Sequence, residues 1–183
     1  MRALIPAALV VGLLAACAGG TRPRSGLQPD EDPVLERQVG IYAAVIRQLV
    51  TKDHTFGEDG PGLEVVYVLD RPVGRAEGTS PEGEGEPFSE ALRARLRTAL
   101  TDLPPLEYVA EMEQVIVEKD GFPMVKGQDG LVSLGLIPET GDRVEIPASL
   151  YFTGLAGVWL TYVVETTGGE WRVTGTTGPV AVS

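Results

Sequence analysis

From Val144 to Phe152 the apolar residues Val144, Ile146, Ala148, Leu150 and Phe152 alternate with Arg143, Glu145, Pro147, Ser149 and Tyr151. Only an extended strand gathers such a set onto a single face, because successive side chains of a strand point to opposite sides. The same period recurs at Val132, Leu134 and Leu136. Val158 to Val164 is apolar on both phases, as a central strand is, and Gly168-Gly169 turns the chain into Trp171-Arg172-Val173-Thr174. The C-terminal third is therefore committed to consecutive hairpins. Pro147 cannot donate to a ladder, which predicts an edge strand or a bulge there.

The upstream half reads differently. Asp32-Pro33 combines an N-cap with proline at the first helical position. Leu35, Val39, Tyr42, Ala43, Ile46, Leu49 and Val50 then recur at three- and four-residue steps, predicting an amphipathic helix that ends near Lys52. Phe88, Leu92, Leu96 and Leu100 set a second helix, with Leu103 on its face and Pro104-Pro105 stopping it. Leu63 to Leu69 is β-branched and aromatic between turn residues, and reads as a largely buried strand. Between Leu106 and Val117 the alternation reverses phase, which predicts a strand carrying a bulge or a break. The stretch from Arg71 to Pro87, rich in Gly, Pro and Glu, is longer than an ordinary connection and reads as a surface loop or a lid. Together these elements predict an α+β domain: an antiparallel sheet of about five to six strands with two amphipathic helices packed on one face.

The N-terminus has its own logic. Met1-Arg2 supplies a positive charge, Ala3 to Ala16 is uncharged and mostly apolar, and the run is shorter than the roughly 20 residues a spanning helix needs. It closes on Leu14-Ala15-Ala16-Cys17. These four residues resemble the lipobox of bacterial lipoprotein precursors. The resemblance covers the leader alone and implies that Cys17 is lipidated, that cleavage precedes it, and that its acyl chains anchor the protein to the membrane. Two acyl chains hold stably where one holds marginally, at about 0.8 kcal/mol per buried CH₂. Residues 18–32, rich in Gly and Pro and without apolar periodicity, read as a disordered tether. The expected organisation is a signal peptide over 1–16, the lipidated Cys17 and tether over 17–31, and a single α+β domain over 32–183.

The formal charge of −11, with no concentrated basic stripe, argues against nucleic acid as a partner. Arg93, Arg95 and Arg97 repeat every second residue of a helix, a spacing expected to scatter them around it. Cys17 is the only cysteine, so the domain holds no disulfide and no cysteine-based zinc site. His54 is the only histidine, which excludes a histidine-pair metal site and leaves Asp53 as its one sequence neighbour for an orienting role. Gly78-Thr79-Ser80-Pro81-Glu82 fails the GxSxG elbow at its last position, and Gly83-Glu84-Gly85 opens a GxGxxG pattern that Phe88 breaks. The Glu-rich loop lacks the spacing of a calcium cage.

Two features remain. Asp70, at a strand end, and several Glu are free to approach one another in space as a carboxylate pair, which sequence spacing does not test. Tyr151, Trp159, Tyr162 and Trp171 gather on the C-terminal hairpins as a candidate ligand pocket, although aromatic residues on such hairpins more often close a core. No catalytic residue, metal site or cofactor is assigned. The sequence points to a lipid-anchored protein on the extracytoplasmic face of the cell membrane, a non-enzymatic module for an envelope protein or a small ligand. The alternative is a carboxylate-dependent envelope hydrolase.

Overall fold

The first helix, α1 (Pro33–Thr51), begins where the capping signal sets it, with the Asp32 carboxylate accepting from the backbone N–H groups of Val34 and Leu35. Its apolar stripe, from Val39 to Val50, is buried. The computed structural model describes residues 32–56, 60, 62–74, 85–154 and 156–182. The leader, Cys17, the tether and most of the Glu-rich loop lie outside the described residues.

After α1 come β1 (Val66–Leu69), α2 (Glu90–Ala99), β2 (Leu106–Val109), a 3-10 turn over Met112–Gln114, β3 (Ile116–Lys119), β4 (Phe122–Val125), β5 (Gly130–Leu134), β6 (Arg143–Thr153), β7 (Ala156–Thr167) and β8 (Glu170–Val182). The phase reversal between Leu106 and Val117 is a break: the 3-10 turn separates β2 from β3.

The α+β class holds, but the sheet is mixed and larger than expected, with eight strands. Its main path runs β2-β1-β5-β6-β7-β8, and the β3–β4 hairpin joins the β6 edge where Met124 meets Thr153. β1 runs parallel to both β2 and β5, while β5 through β8 are antiparallel. The parallel pairing follows from the connection. α2 lies between β1 and β2, and a parallel pair needs such a crossover of a dozen or more residues. β1 is buried at all four positions, as a strand covered on both faces must be.

Both helices pack on one face, over Val66 and Val68 of β1, Leu106 of β2, Val132 and Leu134 of β5, and the even-numbered residues of β6 and β7. On the other face Tyr67, Leu69 and Leu131 pack with Val115 and Val125, so the β3–β4 region covers that side of β1 and β5. Arg47 makes a bidentate pair with Asp102 at 3.0 and 2.8 Å, joining α1 to the end of α2.

Pro147 lies in an interior strand, contrary to the edge its missing N–H suggests. The Gly135 N–H donates to the Pro147 carbonyl at 2.6 Å, and the reciprocal bond is the one proline cannot make. The Gly135 carbonyl is served instead by the Tyr42 hydroxyl of α1 at 3.0 Å. A ladder bond lost to proline is replaced by a bond from the helix layer.

Candidate functional site

The alternation of the strands divides the four hairpin aromatics. Tyr162 is fully buried on the helix face, and its hydroxyl donates to Asp53 Oδ2 at 2.9 Å, an oxygen that also accepts from Gln48 Nε2 at 3.1 Å. Trp171 pairs with Thr166 across the β7–β8 ladder, shares the helix face with Val173, and lies against Gly40 of α1 beneath the Arg37 guanidinium. Tyr151 and Trp159 sit on the opposite face, where the Tyr151 hydroxyl donates to the Pro123 carbonyl at 2.8 Å and the Trp159 ring covers Gly157. The sheet lies between the two pairs, so the structure does not bring the four side chains together.

His54 and Asp53 are likewise kept apart in function. Asp53 is engaged by Tyr162 and Gln48, and His54 Nδ1 is buried without a hydrogen-bond partner. The carboxylate therefore braces α1 against β7 and does not orient the imidazole.

The densest polar constellation stands at the carboxyl ends of the parallel strands, where open α/β sheets most often place ligands. Asp70 is the first residue beyond β1. Its N–H donates to the Val109 carbonyl at 2.8 Å and its carbonyl accepts from the Phe88 N–H at 2.6 Å, so backbone bonds fix its position between β2 and the start of α2. Its carboxylate is buried and meets cations: Arg71 Nε at 3.2 Å and Arg93 Nη2 at 3.3 Å. Among the described residues it meets no second carboxylate.

Arg93 and Arg97, four residues apart on α2, share a face of that helix. Their guanidinium carbons lie 5.6 and 4.9 Å from the ring centroid of Tyr108 on β2, within cation–π range. Arg93 Nε donates to the Phe88 carbonyl at 2.9 Å and Arg97 Nε to the Leu106 carbonyl at 3.2 Å. Arg95 turns away to pair with Glu36 of α1. The scattering expected of the three arginines thus describes Arg95, while the other two converge. The Tyr108 hydroxyl is buried and unpartnered. Burial pushes that phenol up to about 12, against the opposing pull of Arg97 and Arg93.

Chemically, this arrangement holds fixed N–H donors and more positive than negative charge, in a chain whose net charge is −11. Among the described residues no three His, Cys, Asp or Glu side chains gather where a metal ion would be held. Of the residues in the constellation, only Asp70 was marked by its position at a strand end. The spacing of Arg93 and Arg97 was legible, but the tyrosine they share sits on another element.

The tyrosines make a pH prediction. Burial raises the Tyr42 phenol far above its ordinary value, and burial together with the Asp53 charge does the same for Tyr162. Tyr108 moves the same way. A group with a raised folded pKa favours the fold fully below its unfolded value near 10 and loses that contribution as pH rises through the folded value. The domain should therefore be insensitive to these groups below about pH 10 and weaken from there to beyond pH 12. Phenolate absorbance should rise together with the loss of circular dichroism. Ionisation of all five tyrosines near pH 10 with the fold intact would contradict it.

No protein family, curated protein or solved structure matches this chain.

Proposed function

We propose that this chain is a lipid-anchored protein of the cell envelope, held at the extracytoplasmic face of the membrane through Cys17, whose folded domain binds a ligand or partner instead of catalysing a reaction. The anchor rests on the sequence Leu14-Ala15-Ala16-Cys17. The binding half rests on one observation, the convergence of Arg93 and Arg97 on Tyr108 beside an Asp70 already engaged by guanidinium groups. Such a site offers directional donors and positive charge, the means of recognition. A carboxylate hydrolase needs two carboxyl groups flanking one bond, and Asp70 faces arginines instead.

The anchor is tested by Cys17→Ser. Acyl labelling should disappear and an uncut precursor should accumulate, because no second cysteine is present to take the lipid. Normal labelling of the variant would overturn the anchor. Binding is tested by a thermal-shift screen of envelope metabolites, in which a ligand at a hundred times its Kd stabilises by about 2.7 kcal/mol. Turnover of a glycoside in place of a shift would favour the hydrolase.

A further inference from the structure

Two arginines stacked on one tyrosine are an ordinary structural device when their charges are balanced. Here they are not. Asp70 is the one carboxylate paired with Arg71 and Arg93, and Arg97 has no ion-pair partner among the described residues. If Arg71 balances Asp70, the guanidinium groups of Arg93 and Arg97 remain as local excess. Glu107, the residue before Tyr108, alternates to the other face of β2 and does not cancel them.

The donors are also unspent. Arg97 uses Nε on the Leu106 carbonyl, and its two terminal nitrogens make no hydrogen bond among the described residues. Arg93 uses Nε on Phe88 and Nη2 on Asp70, leaving Nη1. The Tyr108 hydroxyl is buried with no partner among the described residues, an unfavourable state that an accepting oxygen would relieve. β2 pairs with β1 alone, so Tyr108 stands at the margin of the sheet, and the Arg97 side chain is exposed. A ligand can therefore reach the Arg97 guanidinium from the side, with the covered Tyr108 hydroxyl next to it.

We infer that Arg93, Arg97 and Tyr108 form a recognition site for a phosphate group, with the guanidinium forks of Arg97 and Arg93 taking its oxygens and the Tyr108 hydroxyl donating to it. Charge selects phosphate over carboxylate. A phosphate monoester carries about −1.5 to −2 at neutral pH, matching two uncompensated guanidinium groups, where a carboxylate would neutralise only one. The inference rests on the reading of the domain as a binding module and names the chemistry of its ligand. That phosphate belongs to a soluble phosphorylated compound or to a lipid headgroup.

The test follows the Nε–Hε NMR signals of Arg93 and Arg97 in the full chain, assigned from Arg93→Lys and Arg97→Lys. In uncharged micelles, inorganic phosphate is titrated against chloride at constant ionic strength. The expected result is a saturable shift of both signals with phosphate, and in Arg97→Gln a shift of the remaining Arg93 signal with affinity weakened about tenfold or more. Tyr108→Phe, which keeps the ring under both guanidinium groups, should weaken it several-fold. A second arm places the chain in phosphatidylcholine nanodiscs with and without phosphatidic acid. The same shifts induced by phosphatidic acid, with that of Arg93 lost in Arg97→Gln, assign the site to a lipid headgroup. Phosphate binding without a response to phosphatidic acid assigns it to a soluble ligand. If neither probe moves the two signals, or if chloride moves them equally, the phosphate site is overturned. Such a failure is distinct from failure of the binding reading, which the metabolite screen decides with uncharged compounds as well.

Discussion

Trp171→Ala is expected to lower the stability of the domain by about 3 kcal/mol, the lower end of the range for deleting a packed tryptophan, because its ring is only half-buried. The ring is what β8 contributes to the core beneath α1, together with Val173. Its partner on the helix is Gly40, where an added Cβ would lie 2.5 Å from Trp171 Cδ1. A glycine inside a helix costs about 0.5 to 1 kcal/mol relative to alanine. This one is retained by the closeness of the indole. Gly40→Ala should thus destabilise the wild type, since overpacking typically costs about 1 to 3 kcal/mol and outweighs the gain in helix propensity. In the Trp171→Ala background the same substitution should stabilise. Denaturant melts of the four chains read this reversal of sign as a coupling energy. A Trp171→Ala domain that melts like wild type would instead make the β8 surface, and not the core, the role of this residue.

Asp70→Asn should cost about 2 to 3 kcal/mol, somewhat less than the usual penalty for breaking a fully buried ion pair. The discount comes from Arg93 and Arg71, whose side chains keep 23% and 32% of their exposure and so retain some water when the carboxylate is removed. The amide preserves volume but turns a donor toward one of the two guanidinium groups and removes the charge that balances both. The surface pair Arg47–Asp102 calibrates the effect. With side chains 42% and 56% exposed, its loss in Asp102→Asn should cost below about 1 kcal/mol. Equal midpoints for the two variants would mean that water screens the Asp70 cluster as well, and that it does not pin the start of α2 to β1.

The parts of this fold that were legible from sequence are those governed by local rules. Asp32-Pro33 started α1, the alternation from Val144 to Phe152 became β6, and Val158 to Val164 lies in β7 with a strand on either side. Periodicity reports which face of an element is buried, not the direction of its neighbours, so the antiparallel expectation missed the parallel pairs of β1. The apolar residues of Leu63 to Leu69 on both phases carried that information. β4 was missed although Asp120-Gly121 is a strong hairpin signal, both residues having positive φ, at 54° and 80°. Pro123 disguised the strand that follows. β8 runs on beyond Trp171-Arg172-Val173-Thr174 through Gly175, Gly178 and Pro179 to Val182, because the ladder between β7 and β8 absorbs register shifts. The arginine–tyrosine constellation was beyond sequence reasoning for another reason. It exists only once the crossover has laid α2 beside β2.

The helix that begins the domain rests on the strands that end it: α1 packs against β6, β7 and β8. A chain emerging from its N-terminus, whether from a ribosome or through a membrane pore, therefore cannot fully shelter the apolar face of α1 until β8 has appeared. The three closing strands are sequence neighbours and pair at little entropic cost, whereas β1 must find β5 across an intervening helix and hairpin. The C-terminal meander is accordingly the natural template, and the N-terminal half is collected onto it. Loss of the last strand would do more than trim the margin of such a domain, because it would uncover the side of α1 that Trp171 and Val173 cover.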